Sequence, residues 1–209
     1  MISRLAVIFP LLFILVTGFV SGSNGDEKSY IARWVVAPGG SMVVEGSTNV
    51  NKFKCQIVNY NKPDTIIIYK NSGSKEIVAL SGNIKLNVQS FDCHNPVMTG
   101  DLRKTLKAKE HPYLSIKFVS LNKLPANQYQ EAIKGMVDIQ LAGVTKRFDV
   151  NYKFSKDGQN MMDLIGTRTV NFSDFDLTPP RKLGGMIQTN NELKVEFRLK
   201  LKILNGIKG

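Results

Sequence analysis

The stretch LKVEFRLKLKI, residues 193–203, alternates apolar and charged residues without a break over eleven positions. The odd-numbered positions are leucine, valine, phenylalanine or isoleucine, and the even-numbered ones are lysine, glutamate or arginine. Successive side chains of a β-strand point to opposite faces, so this segment has one apolar face and one charged face. The pattern predicts a long strand with one face in the core and the other in water.

The same two-residue period recurs along the chain. Four groups of apolar residues show it: Ile84, Leu86 and Val88; Leu114, Ile116 and Phe118; Val137, Ile139 and Leu141; and Phe148, Val150, Tyr152 and Phe154. The last two groups are joined by 142–146, a glycine-bearing link of hairpin length. Further strands are predicted at 31–36, 40–48, 52–58, 64–70 and 160–174. The last of these is the least regular, because Arg168 shares a face with Leu164 and Val170.

One segment departs from this period and predicts a helix over 99–110. Leu102 and Leu106 are four residues apart, which places both on one side of a helix. We expect Thr99 to be the N-cap and Pro112 to end the helix. About ten strands around one short helix contain no βαβ unit, so a closed up-and-down barrel or a two-layer sandwich remains. The long alternating strands favour the barrel.

The N-terminal residues predict a secretory signal peptide over 1–22. Arg4 precedes an apolar run over 5–20, and small residues follow at 21–23. A retained membrane anchor is the alternative, but Pro10 and Gly18 interrupt the run. We therefore expect an exported protein, periplasmic or secreted, with one domain over 30–204.

The two cysteines, Cys55 and Cys93, allow two interpretations. In an oxidising compartment they are expected to form a disulfide, which would stabilise the fold by about 4 kcal/mol in the chain-entropy model. The alternative is a pair of buried free thiols.

The sequence lacks the common motifs of catalytic, phosphate-binding and metal-binding sites. There is no G-x-S-x-G elbow, phosphate-binding glycine loop or H-E-x-x-H pair. Cys93 and His94 point to opposite faces if extended, which disfavours a nucleophilic pair. Two histidines and two cysteines do not provide a zinc-finger ligand set. We therefore predict no catalytic residue, no metal site, no cofactor and no enzymatic activity.

The charge balance points to anionic surfaces. Lys and Arg number 28 and Asp and Glu 17, giving a formal net charge of +11 at pH 7. An anionic membrane surface is one candidate partner; the alternative is that these charges solvate the outer faces of the strands. Nucleic acid is not expected, because Phe148, Phe154 and Phe197 lie on the apolar faces of their strands rather than on a basic groove.

Several stretches together resemble one known family. They are Trp34, SMVVEGSTN at 41–49, DLRKTLK at 101–107, HPYLSIKF at 111–118, and GMVDIQLAGVTK at 135–146. Their order and spacing are similar to those of the YceI-like family, the polyisoprenoid-binding domains of exported bacterial proteins. The resemblance covers roughly residues 32 to 203. One departure is NFSDFD at 171–176, where many members have Asn-Arg-x-x-Phe-Gly.

This resemblance implies an all-β fold, an extended antiparallel lipocalin-like β-barrel with one short α-helix. It also implies an interior tunnel for a long isoprenoid or another amphiphilic lipid, and it implies no catalytic residues. In the lipid-binding hypothesis, we expect the head group near the helix and its loops. The oligomeric state stays open, a dimer included.

Two functions follow from the sequence. The preferred one is lipid binding in the barrel, and the alternative is a solid-cored exported stress-response or interaction protein that binds anionic partners through its basic surface. From the strand and helix faces, the residues expected to line the cavity are Phe53, Ile84, Leu86, Val88, Leu102, Leu106, Ile116, Phe118, Val137, Ile139, Phe148, Val150 and Phe197.

Overall fold

The computed structural model describes residues 30–69, 77–125, 132–156 and 160–205. The predicted signal peptide lies outside the described residues. One α-helix, α1 (Pro96–Thr105), and ten strands are present in the described part: β1 (Tyr30–Thr48), β2 (Lys52–Tyr60), β3 (Thr65–Tyr69), β4 (Val78–Asn87), β5 (Tyr113–Leu121), β6 (Ile133–Leu141), β7 (Val144–Lys156), β8 (Met161–Asn171), β9 (Arg181–Lys182) and β10 (Ile187–Asn205).

Eight of these strands close into an antiparallel barrel. Their order is β1-β3-β4-β5-β6-β7-β8-β10, and β10 pairs back with β1 to complete the circle. The segment 193–203 lies in β10, where Leu193 is opposite Gly46 of β1 and Val170 of β8. Closure removes the sheet edges that a sandwich would leave. The predicted barrel is confirmed.

The strand β1 pairs with two different strands along one of its edges. Its first part pairs with β3 and its second part with β2, while its other edge pairs with β10. A register shift lies between Ala37 and Ser41, and Gly39 within it has a φ of 97°. The segments 31–36 and 40–48 are therefore one strand with an irregularity in the middle, not two strands.

The Cys55–Cys93 disulfide attaches β2 to the segment before α1. Beside it, Gln56 of β2 forms an isolated antiparallel bridge with Asp92. Both cysteines are buried. The disulfide interpretation is confirmed, and the cross-link holds the β2 edge and α1 together at one end of the barrel.

The helix α1 spans Pro96–Thr105, so it begins about one turn earlier than the predicted 99–110 and ends at Thr105, well before Pro112. Asn95 is the N-cap, because its side chain accepts a hydrogen bond from the Met98 N–H at 3.0 Å, and Pro96 occupies the first turn. Thr99 is not the cap. It lies inside the helix, where its hydroxyl accepts a hydrogen bond from the Cys93 N–H at 3.0 Å. None of the helices in the described residues is long and apolar enough to cross a bilayer.

Two loop predictions also change in detail. The β6–β7 link is only Ala142 and Gly143, both with positive φ, rather than 142–146. The strand predicted over 160–174 ends at Asn171, and the next residues, Phe172–Phe175, form a 3₁₀ turn. That turn folds against the barrel with Phe172 and Phe175 buried, so alternation does not continue through it.

Candidate functional site

The barrel contains an apolar cavity of about 60 Å³ beneath α1, here called the α1 cavity. Leu102 of the helix and Leu106 at its C-cap face it, and most of the remaining wall is formed by side chains from the barrel strands. Fifteen of its sixteen lining residues are apolar, and the sixteenth is Arg168. The lining residues are Met42, Val44, Phe91, Leu102, Leu106, Leu114, Ile116, Ile139, Leu141, Val150, Arg168, Val170, Phe175, Leu193, Val195 and Phe197.

Aromatic rings fill the barrel next to this cavity. Five rings form a continuous series, the aromatic cluster, with neighbouring centroids 5.8 to 6.2 Å apart: Trp34, Phe154, Tyr152, Phe197 and Phe118. All five are buried. Phe197 belongs to both regions, since its ring contacts Tyr152 and also lines the α1 cavity. The tunnel that the family resemblance implies is therefore largely occupied by side chains at this level of the barrel.

The hydroxyl of Tyr152 is buried in the aromatic cluster without a hydrogen-bond partner among the described residues. Its burial raises the pKa of the phenol above its ordinary value, because the charged form would lose its hydration. Tyr152 is therefore a neutral phenol at physiological pH.

The barrel wall opens into a gap, here called the side slot, between β7 and β8. The two strands pair from Lys156 and Met162 as far as Asn151 and Thr167, and no pairing continues beyond that point. Past it, Phe148 of β7 contacts Phe175 of the 3₁₀ turn, with ring centroids 5.8 Å apart.

Two charged contacts lie across the side slot. The guanidinium of Arg168 lies 5.7 Å from the centroid of the Phe148 ring. Further along, Lys146 Nζ donates to Asp174 at 2.6 Å. This hydrogen bond, together with that from the Asn171 N–H, holds the pKa of Asp174 below its ordinary value.

Six predicted lining residues meet at the α1 cavity, namely Leu102, Leu106, Ile116, Ile139, Val150 and Phe197. Six others are buried in the barrel away from the cavity surface, namely Ile84, Leu86, Val88, Phe118, Val137 and Phe148. Phe53 lies outside the barrel, where it lines a surface groove beside α1 with Val97 and Met98. Whether these residues contact a ligand stays a prediction.

Ten residues that line the α1 cavity were missing from the sequence prediction, although the alternation pattern indicated some of them. Leu193 and Val195 share the inward face of β10 with Phe197, so the alternation in 193–203 already pointed to them. Arg168 shares a face with Leu164 and Val170, which the sequence presented only as an irregular strand. Phe91 and Phe175 lie outside the strands, and periodicity offers no signal for them.

The described residues contain no group of three or more His, Cys, Asp or Glu side chains that could hold a metal ion. The only titratable side chain on the α1 cavity surface within the described chain is the guanidinium of Arg168. The arrangement can accept an apolar group and bring one positive charge to its edge.

The fold and cavity define an antiparallel β-barrel protein with an internal apolar site. The profile of the YceI-like domain matches residues 34–201. The chain belongs to this family. No curated protein matches it in sequence.

Solved structures are similar to this chain at low sequence identity. BcnA of Burkholderia cenocepacia is 14% identical with a TM-score of 0.56, and the match covers 78% of this chain and 95% of BcnA. A polyisoprenoid binding domain from Saccharophagus degradans, implicated in plant cell wall breakdown, is 11% identical with a TM-score of 0.48, covering 82% and 98%. The YceI protein of Campylobacter jejuni is 16% identical with a TM-score of 0.44, covering 66% and 80%.

Proposed function

We propose that this protein binds an amphiphilic lipid without transforming it, with the apolar tail in the α1 cavity. The observation that carries the proposal is the composition of the cavity wall, fifteen apolar residues and one cation at a gap in the barrel. Transfer of apolar surface from water into such a wall is favourable by about 25 cal/mol per Å². A tail can therefore be held with few polar contacts.

The size of the cavity limits how the tail enters. A volume of about 60 Å³ is smaller than the cavity of about 150 Å³ that holds one benzene molecule in an engineered protein. Only the end of a chain is accommodated without rearrangement, and a longer tail requires the lining side chains to move apart. Met42, Leu102 and Leu193 are flexible aliphatic residues suited to such movement.

More specifically, we propose that the amphiphile is a long-chain isoprenoid, which the protein carries or stores outside the cytoplasm. Family membership supports the ligand class, because the YceI-like resemblance implies polyisoprenoid binding. The Cys55–Cys93 disulfide supports an exported, periplasmic or secreted location, since cytosolic thiols are usually kept reduced.

The test fills the cavity mouth with a bulky side chain. Val195 lines the α1 cavity, whereas Val43 on β1 lies on the outer face and lines only a surface groove. We expect Val195→Trp to weaken binding of decanol, measured by displacement of the apolar fluorophore N-phenyl-1-naphthylamine, by about tenfold or more. Val43→Trp adds the same ring outside the barrel and should leave the affinity within about twofold.

Organic extracts of freshly purified protein provide the second measurement. A co-purifying isoprenoid in the mass spectrum supports the finer assignment. If the wild-type protein neither carries an extractable lipid nor binds decanol, the proposed function is wrong.

A second candidate is favoured by the small volume of the cavity. A solid-cored interaction protein would use its basic surface, which gives the chain a formal net charge of +11. It predicts retention on anionic vesicles that salt abolishes, together with no binding of decanol.

A further inference from the structure

The register of β8 directs Arg168 toward the barrel interior. Its neighbours two positions away, Gly166 and Val170, are both buried on the inner face of β8. Across the ladder Arg168 is opposite Val195 of β10, which also lines the α1 cavity. A charged residue at an inward position is unusual in an apolar barrel, because its charge must stay hydrated or be neutralised.

The side slot explains how the charge of Arg168 stays hydrated. Pairing between β7 and β8 stops one residue before Arg168, at Thr167. Arg168 is exposed to solvent, and it lines both the α1 cavity and a polar groove on the outside of the barrel. The guanidinium therefore lies where the apolar interior meets water.

The guanidinium has no acidic partner in the described part of the chain. Within the described residues the guanidinium contacts the ring of Phe148, which leaves its five N–H donors available. Glu45 and Glu196 line the outer groove with Arg168, but neither forms an ion pair with it in the described part of the chain, and Glu196 pairs with Arg198 at 2.8 Å. An arginine fork matches carboxylate and phosphate oxygens in geometry as well as in charge.

We propose that Arg168 binds the anionic head group, a carboxylate or phosphate, of an amphiphile whose tail occupies the α1 cavity. This inference rests on the proposed lipid-binding function and specifies its ligand class. It places the head group at the side slot rather than at the loops around α1. The ring of Phe148 orients the guanidinium by stacking against it.

The experiment compares ligands that differ only in the head group. Decanoate, decyl phosphate and decanol are titrated by displacement of N-phenyl-1-naphthylamine at low salt, with acetate and inorganic phosphate as head groups lacking a tail. We expect the wild-type protein to bind both anions about tenfold more tightly than decanol, and high salt to reduce this preference.

Three variants assign that preference to one side chain. Arg168→Gln should remove the anion preference while leaving the decanol affinity within about twofold, and Arg168→Lys should keep part of it. Lys194→Gln removes one positive charge from the outer groove and should leave the preference intact. Thermal unfolding of each variant verifies that the barrel is folded.

The outcomes separate the two proposals. If decanol and the anions bind wild type equally, or Arg168→Gln weakens all three alike, the head-group assignment is wrong and lipid binding stands. Phosphate binding as tight as decyl phosphate shows a free-anion site and also overturns the assignment. If no ten-carbon ligand binds the wild-type protein, the head-group assignment fails, and lipid binding fails with it when the organic extract also contains no lipid.

Discussion

The aromatic cluster and the α1 cavity divide the same barrel interior, and they differ in side chains and in backbone. The aromatic cluster is built from rigid rings that contact one another in series from Trp34 to Phe118. The α1 cavity is walled mostly by aliphatic chains and lies where β7 and β8 have separated. In the aromatic cluster, close side-chain packing accompanies continuous strand pairing. At the α1 cavity, incomplete packing accompanies a gap in the barrel wall.

The cavity end of the barrel needs additional support. Beyond Thr167 the barrel lacks a β7–β8 ladder, and the Cys55–Cys93 disulfide, α1 and the 3₁₀ turn at Phe172–Phe175 cover this end instead. Under the proposed function, the aromatic cluster would maintain the shape of the barrel while the cavity end adapts to the ligand.

The largest expected effect comes from truncating one leucine in each region of β10. Leu201 is fully buried opposite Val36 and Met162, whereas Leu193 lines the α1 cavity. Leu201→Ala should lower the free energy of unfolding by about 4 kcal/mol, and Leu193→Ala by about 2 kcal/mol, because a side chain beside an existing void loses fewer contacts. Guanidinium denaturation measures both.

The decanol affinity of the two leucine variants provides a second test of the difference between the regions. Leu193→Ala enlarges the α1 cavity and should strengthen decanol binding, while Leu201→Ala should leave it unchanged. Equal losses of stability, or stronger binding in Leu201→Ala, would contradict the division of the interior into a packed and an adaptable region.

A smaller effect is expected from two buried tyrosines. Tyr152 has no hydrogen-bond partner within the described residues, whereas the hydroxyl of Tyr60 donates to Asp64. Burial raises the pKa of both phenols, and at Tyr60 the carboxylate of Asp64 adds to the shift. Tyr60→Phe should therefore destabilise by about 2 kcal/mol, and Tyr152→Phe should be neutral or stabilise by up to about 1 kcal/mol.

The measurement for the tyrosines is again the free energy of unfolding, at neutral pH. If Tyr152→Phe costs as much as Tyr60→Phe, the Tyr152 hydroxyl has a partner, such as a bound water, that stabilises the aromatic cluster.

The sequence predicted the barrel because its decisive signal is local. Alternation in 193–203 identifies which side chains face inward, and strand pairing then follows from closure. The predicted N-cap of α1, Thr99, was wrong, although the Asn95–Pro96 pair offers both a cap and a first-turn proline. The two-residue strand β9 and the 3₁₀ turn at Phe172–Phe175 are too short for a period to appear.

The boundary between packed and cavity residues could not be read from the sequence. Val137 and Ile139 are both inward on β6, yet Val137 is packed between Phe118 and Phe148 in register, whereas Ile139 is opposite Ile116 and lines the cavity. The distinction depends on which residues the ladder places beside each position, and a single strand does not contain that information.

The smallest expected effect concerns the ion pair that spans the side slot. Asp174 accepts hydrogen bonds from Lys146 and from the Asn171 N–H, and its pKa in the folded protein is lowered. A carboxylate whose folded pKa lies below its unfolded value of about 3.9 stabilises the fold above about pH 4, and this contribution is lost as the pH falls through the folded pKa. Asp174→Asn should cost less than about 1 kcal/mol at pH 7, and nothing once wild-type Asp174 is itself protonated.

The matched control is Asp138→Asn, which removes the ion pair with Arg147 across β6 and β7, away from the slot. The pKa of Asp138 is also lowered, chiefly by its hydrogen bond to Arg147, so its loss has the same pH dependence. Only Asp174→Asn should speed the entry of N-phenyl-1-naphthylamine in stopped-flow fluorescence, because only that pair joins β7 to the turn after β8. Equal entry rates in the two variants would mean that the ligand reaches the cavity by another route, and that the gap between β7 and β8 is not its entrance.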